Sequence, residues 1–315
     1  MNTKLKVITY NIDGLPEKLD LNDLPLILKP IAWIYKLFKK TTLITINDDS
    51  TKINNMSMIG SYLLEQDPDI IAVQEDFNYH NELVKNFYDK YSWGTYSGGF
   101  DLKNIFSSMS WFPIPRFKAD GINLFGKVGK VSIRTEDIVH WNKSHGYIDH
   151  ANDLLTHKGY RFYDLMIDDR YLIDVYVVHM DADFYHPENC PDISKDLEAR
   201  KSQLNQLTNR ILTNYQHGRT NPVIIVGDTN SYDKYKWDRS NIETELIHKI
   251  NHNKLLTIKE AIPSNYDDCD RIFYINNYNA DYELQLIDCK FDLNTLRLSD
   301  HHPLIANFKI TDKNE

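Results

Sequence analysis

PVIIVGDTN, residues 222–230, is an apolar, β-branched run that stops on an acid and an amide. Val223 to Val226 have the composition of a strand buried on both faces, and Asp228 and Asn230 stand where that strand gives way to a loop. One such ending is ordinary, because Asp and Asn are loop residues. The pattern recurs along the chain. ITYNIDG ends in Asn11, IIAVQEDF in Gln74, Glu75 and Asp76, and DVYVVHMDAD in His179, Asp181 and Asp183. SDHHP, residues 299–303, sets Asp300, His301 and His302 immediately before a last strand, PLIANFKI. Strand ends bring distant residues to one rim, so these endings predict a single polar site.

Between the endings, short apolar runs alternate with turn signals. KVITYNI, IIAVQE, GINLFGK, KVSIRTEDIVHW, YRFYDLMID, YLIDVYVVHMD, RIFYIN and YELQLIDCKFD read as further strands. MSMIGSYLLEQ, YHNELVKNFYDKY, SKDLEARKSQLNQLTNRILTNY and IETELIHKINHNK have helical spacing. Strands outnumber helices, and the long helices fall between strands. That arrangement predicts two sheets packed face to face with helices outside, in one domain spanning residues 1–315.

The net charge is −9, which argues against broad affinity for a nucleic-acid polyanion. Cys190, Cys269 and Cys289 are dispersed, so neither a zinc ribbon nor a disulfide framework is expected. The N-terminus runs straight into a strand without the apolar core of a signal peptide, and a cytoplasmic protein is expected; secretion after loss of a cleaved signal fits as well. One segment departs from the pattern. Residues 24–46, LPLILKPIAWIYKLFKKTTLITI, are apolar and carry Lys29, Lys36, Lys39 and Lys40. Two readings stand side by side: a helix packed on the core, or an inserted lipid-surface contact through Trp33, Ile34, Leu37 and Phe38.

Carboxylates and amides without thiolates suit a hard cation such as Mg2+, with Mn2+ as a substitute. A histidine beside a carboxylate suits proton removal near neutral pH. Together they suit metal-assisted attack of water on a phosphate ester.

The ordered set TYN, QE, VHMDA, GDTN and SDHHP resembles the endonuclease/exonuclease/phosphatase superfamily, over residues 7–310. The resemblance implies an α+β fold, a four-layered α/β/β/α sandwich with two mostly antiparallel sheets and helices outside. It implies Mg2+-dependent phosphoester hydrolysis. By position, Asn11 and Glu75 match the superfamily's metal-site residues, and Asp300 is placed with them. His179 matches the histidine that hydrogen-bonds the phosphate. Asp228 and Asn230 match the pair that orients the attacking water. Asp300 and His301 match the closing dyad, with His301 as base and His302 as a neighbour. Gln74, Asp270 and Lys158 are expected behind these groups. Asp181 is either such a supporting carboxylate or a plain loop residue, and Asp76 is expected in solvent.

Three substrate classes follow from fragments. DLLTHKGYRFYDLMID, 153–168, and the helix EARKSQLNQLTNRI resemble neutral sphingomyelinases, which favours a phosphodiester lipid headgroup. DDCDRIFY, 267–274, resembles the CDRI signature of inositol polyphosphate phosphatases, although the wider pattern fails. A DNA or RNA nuclease is the third class, disfavoured by the acidic charge and by the lack of a basic, aromatic-interleaved stretch.

Overall fold

The computed structural model describes residues 3–15, 50–101, 105–111, 116–146, 153, 156–182, 193–265, 268–294 and 298–313. The segment 24–46, Asp183 and Cys190 lie outside the described residues. In chain order the elements are β1 (Thr3–Asn11), α1 (Ser50–Gln66), β2 (Ile70–Gln74), α2 (His80–Val84), β3 (Tyr91–Trp93), α3 (Ile105–Ser108), β4 (Met109–Ser110), β5 (Arg116–Phe117), β6 (Asn123–Lys127) and β7 (Val131–His140). There follow β8 (Gly159–Ile167), β9 (Tyr171–His179), α4 (Ile193–Gln216), β10 (Val223–Asp228), α5 (Lys236–Asn241), a π-helical turn (Ile242–Ile247), α6 (His248–His252), β11 (Leu256–Glu260), β12 (Asp270–Asn277), β13 (Tyr282–Phe291) and β14 (Leu304–Asp312).

Two six-stranded sheets carry the fold, in the orders β13-β14-β1-β2-β6-β3 and β11-β12-β10-β9-β8-β7, with a small β4-β5 hairpin apart. β1 and β2 pair in parallel, as do β9 and β10, and the other pairs in both large sheets are antiparallel. Val7, Ile70, Ala72, Val175, Val177, Ile224, Val226 and Ile272 fill the space between the sheets. The opposite face of the first sheet, with Ile8, Tyr10, Ile71 and Val73, is covered by Met56, Ile59 and Leu63 of α1 and Leu83 of α2. The outer face of the second, with Tyr176, Val178 and Ile225, is covered by Leu204, Leu207 and Ile211 of α4 and by Ile242 and Leu246. The layers are therefore helix, sheet, sheet, helix, as the sequence pattern predicts.

Side chains alternate across a strand, and this alternation builds the site. Val7 and Ala72 face the inner core, so, in steps of two along each strand, Asn11 and Gln74 end the same inward rows. Val177, Val226 and Ile272 likewise put His179, Asp228 and Asp270 on the inner face. Register places Asp228 opposite both His179 and Asp270, and Asn11 opposite Gln74. The apolar core therefore passes directly into a polar floor at one end of the four central strands and β12.

Some local expectations fail. The helical spacing over 79–91 yields only α2, because Tyr91–Trp93 leaves the helix to pair with β6. The last helical stretch begins earlier than expected, at Lys236, and LTIKE forms an unforeseen strand, β11, on the edge of β12. Asp76 is not solvated. It is buried, with His80 Nδ1 at 2.7 Å and Asn123 Nδ2 donating at 3.2 Å.

Arg161, fully buried on β8, ties the sheets to the segment before β6. Its guanidinium donates twice to Asp120 at 2.7 Å and once to Glu136 at 2.8 Å. Gly121, next to Asp120, in turn accepts the backbone N–H of Asp76 at 2.8 Å. Arg161→Met leaves two carboxylates without their cation. It should lower the free energy of unfolding by about 3–5 kcal/mol, read as a drop in the urea midpoint.

Candidate active site

The two loops nearest the polar floor are held in backbone conformations that few side chains adopt. Glu75 has φ +63° and Asn230 has φ +49°. Asparagine tolerates the left-handed region; glutamate there is strained, and such strain gathers at functional sites. Gly14 makes room for the Glu75 turn, since a Cβ on residue 14 would stand 2.2 Å from the Glu75 carbonyl oxygen.

Asn11 links the carboxylates. Its Nδ2 donates to Glu75 Oε1 at 3.2 Å and to Asp228 Oδ2 at 3.1 Å. Asp228 is the hub: Oδ1 accepts the Asn230 backbone N–H at 2.8 Å, and Oδ2 faces His179 Nε2 at 3.7 Å and His301 Nε2 at 3.8 Å. Asn230 Nδ2 donates to the Met180 carbonyl at 2.9 Å, which ties the loop after β10 to the loop after β9. Residues 299–301 are pinned to β1, because Ser299 Oγ donates to the Asn11 carbonyl at 2.7 Å and accepts the His301 N–H at 3.2 Å.

The carboxylate facing His301 is Asp270, not its neighbour Asp300. His301 Nδ1 lies 2.6 Å from Asp270 Oδ2, while Asp300 is exposed and accepts from Ser299 Oγ at 3.3 Å. In the bend over residues 298–301 Asp300 stays on the exposed rim, whereas β12 delivers Asp270 across the floor from Asp228. Burial is the main cause of the raised pKa of Asp13 and Tyr10, and the charge of Asp300 on the rim adds to it.

The electrostatics follow from burial and from these pairs. Burial would lower the His301 pKa, but Asp270 more than offsets it and holds the imidazole well above its usual value. His179 is driven well below its usual value by burial and by the Lys158 ammonium, so it stays neutral. Burial raises Glu75 to about 7 against the pull of Lys158. Burial also acts to raise Asp228, but the cations His301 and Lys158 keep it lowered. Lys158 itself pairs with buried Asp153 at 2.5 Å, and although burial opposes its charge, Asp153 and Glu75 keep its pKa raised.

Two further expected residues serve the scaffold. Asp181 is turned to α4 and the loop after β7, accepting from Gln203 Nε2 at 2.7 Å and the His145 N–H at 2.6 Å. Gln74 Oε1 accepts from Thr9 at 3.2 Å, behind the floor.

Glu75 and Asp228, joined through Asn11 Nδ2, offer carboxylate oxygens, and half-buried Glu75 carries charge that a cation would neutralise, while Asp300 stands on the exposed rim. The set fits a hard divalent ion. A second group, Asp228, Cys269 and His301, has candidate ligand atoms within 4.8 Å of one another. It fits a metal poorly: burial pushes the Cys269 thiol well up, so it stays protonated, and His301 is held as a cation by Asp270.

Comparison with known proteins places this geometry. No protein-family profile matches the sequence, and no curated protein matches it. Solved structures do. Beta toxin from Staphylococcus aureus, in a form with bound magnesium ions, superposes with a TM-score of 0.63 at 14% identity, covering 96% of this chain and 99% of that one. The chain therefore shares the fold of that toxin, two facing sheets covered by helices. SmcL matches at TM-score 0.59 and 13% identity, over 98% and 99% of the two chains. TDP2 from D. rerio, complexed with a single-strand DNA product, matches at 0.56 and 13%, over 97% and 99%.

The acid paired with His301 is Asp270, expected from the sequence only in a supporting position. Its signal lay in CDRI: an aspartate at the first inward position of a strand antiparallel to VIIVGD. The Asp153–Lys158 pair and the His80–Asp76 pair carried no comparable signal.

Proposed function

We propose that the protein hydrolyses a phosphodiester with the help of Mg2+ or Mn2+, and that the phosphodiester is a lipid headgroup. The observation that carries this reading is His301, with Nδ1 held 2.6 Å from buried Asp270 and Nε2 turned toward Asp228 at 3.8 Å. Once deprotonated, above its raised pKa, a ring so held accepts a proton through Nε2 from a water oriented by Asp228 and Asn230. Neutral His179 donates a hydrogen bond to a phosphoryl oxygen. Glu75, Asn11 and Asp300 would hold the cation, which when bound polarises the phosphoryl oxygens and offsets their charge.

The net charge of −9 and the sphingomyelinase-like segment 153–168 support a lipid headgroup over a nucleic acid. The inositide reading is weakened by Arg271. Its guanidinium donates to the Ser231 carbonyl at 2.9 Å, to Asp233 at 2.8 Å and to Glu260 at 2.5 Å, which accounts for it structurally.

Purified protein with Mg2+ is to be offered sphingomyelin vesicles, phosphoinositide vesicles, plasmid and single-stranded DNA in parallel, each with an EDTA control. Release of phosphocholine, abolished by EDTA and restored by Mg2+ or Mn2+, is the expected result. Preferential cleavage of DNA would replace the lipid reading. Turnover surviving exhaustive chelation would remove the cation from the chemistry.

A further inference from the structure

The chain leaves the site after Asn230 through SYDKYKW, residues 231–237. Its aromatic rings form one cluster. Tyr235 and Trp237 stack with centroids 5.5 Å apart and planes 6° from parallel, and Tyr232 meets Tyr235 edge-on at 6.0 Å. A cation already sits on two of them. Lys234 Nζ lies 4.6 Å from the Tyr232 ring centroid and 5.1 Å from that of Tyr235.

The cluster is held by backbone rather than by chance packing. The Tyr235 N–H donates to the Tyr232 carbonyl at 3.0 Å, and the Tyr235 carbonyl accepts the Asp238 N–H at 3.1 Å as α5 begins. It also adjoins the chemistry. The Tyr232 hydroxyl shares a hydrogen bond with Cys269, whose Sγ lies 3.9 Å from His301 Nδ1. The rings begin one side chain from the histidine assigned as base, on the segment that carries Asn230. Tyr232 and Tyr235 are half-buried, while Lys234 and Trp237 are exposed, so the cation position opens to solvent.

We propose that Tyr232, Tyr235 and Trp237 form a subsite for an organic ammonium carried by the substrate beside its phosphate, of the quaternary-ammonium headgroup class, and that the Lys234 ammonium fills this subsite in the free protein. The proposal rests on the phosphodiesterase reading and names its headgroup. Ring faces attract cations through their quadrupoles, and they favour a weakly hydrated quaternary ammonium over a strongly hydrated primary one. The lysine is then an internal competitor that an incoming headgroup displaces. The same rings would suit a stacked base, but the ammonium already seated on two of them favours the cation.

Tetramethylammonium chloride, titrated by calorimetry at constant ionic strength, tests the subsite without turnover. Lys234→Ala should bind it several-fold more tightly than the wild type, and Tyr235→Leu about tenfold more weakly. Trp237→Leu, at an exposed position, should weaken it in the same direction and guards against a folding defect at Tyr235. With p-nitrophenyl phosphocholine and p-nitrophenyl ethyl phosphate as paired esters, the ratio of kcat/KM values should fall about tenfold in Tyr235→Leu and rise in Lys234→Ala. Equal tetramethylammonium affinity across these proteins, or an unchanged ester ratio, would overturn the subsite. So would loss of single-stranded oligonucleotide binding in Tyr235→Leu with the ratio unchanged, which would assign the rings to bases. If neither ester is hydrolysed while Lys234→Ala still binds tetramethylammonium more tightly, the subsite stands and the hydrolase reading fails.

Discussion

His301→Ala should lower kcat/KM on a soluble phosphodiester by about two to four decades, and Asp270→Asn should cost a comparable share, with the circular dichroism spectrum unchanged in both. The two act as one unit, so the double variant should lose little more than the worse single one. His302→Ala should cost far less. Asp300→Asn separates the two acids: if Asp270 orients the base, Asp300→Asn should raise the Mg2+ concentration needed for half-maximal rate without moving the pH profile.

The pH profile carries the sign of the pair. Asp270 stabilises the protonated imidazole, so His301 gives up its proton well above the ordinary value. Activity should therefore fall as pH drops through a limb lying above about 6.5, the ordinary imidazole value. In Asp270→Asn burial acts unopposed by that carboxylate, and the limb should move to lower pH while the plateau drops. A limb that stays in place in Asp270→Asn would take the tuning away from Asp270. A profile flat from pH 5 to 8 in the wild type would remove His301 as the titrating base.

Glu75→Gln is expected to cost several decades of activity through lost cation affinity, partly recovered at high Mg2+. A second readout needs no turnover. Burial raises the Glu75 carboxyl to about 7 in the folded protein. Its ordinary value is about 4.3, so the folded state binds this proton more tightly than the unfolded state does. That contribution is present below the ordinary value and is lost as pH rises through about 7. Without metal, Glu75→Gln should therefore melt higher than the wild type at pH 8 and no higher at pH 4. Adding Mg2+ should raise the melting temperature of the wild type and do less for the variant. An equal Mg2+ shift in both proteins would place the cation elsewhere.

Much of this site is legible in the sequence, for a local reason. Strand alternation has a period of two, so an inward apolar row ending in Asn11, His179 or Asp228 announces its own polar end. α1 and α4 were legible through helical spacing, and the layer order followed from strands outnumbering helices. The span 79–91 misled because its helical spacing could not reveal the pull of β6, which takes Tyr91–Trp93 into the first sheet. Asp76 misled because its partners, His80 and Asn123, come from a helix start and from another strand.

The residues alone determined which side chains end the buried strands, and hence that Asn11, Glu75, His179, Asp228, Asn230 and His301 gather at one rim. Tertiary structure alone decided which acid faces the His301 ring. Asp300 adjoins His301 in the chain, but in the bend over residues 298–301 its side chain stays on the exposed rim. Asp270, 31 residues earlier, reaches Nδ1 because β12 runs antiparallel beside β10 and starts its inward row at the level of Asp228. The same order of strands carried Asp181 away to α4 and set the Tyr232 hydroxyl against Cys269 behind His301. Pairing between strands distant in sequence has no period along the chain, and for that reason only the folded arrangement could make these choices.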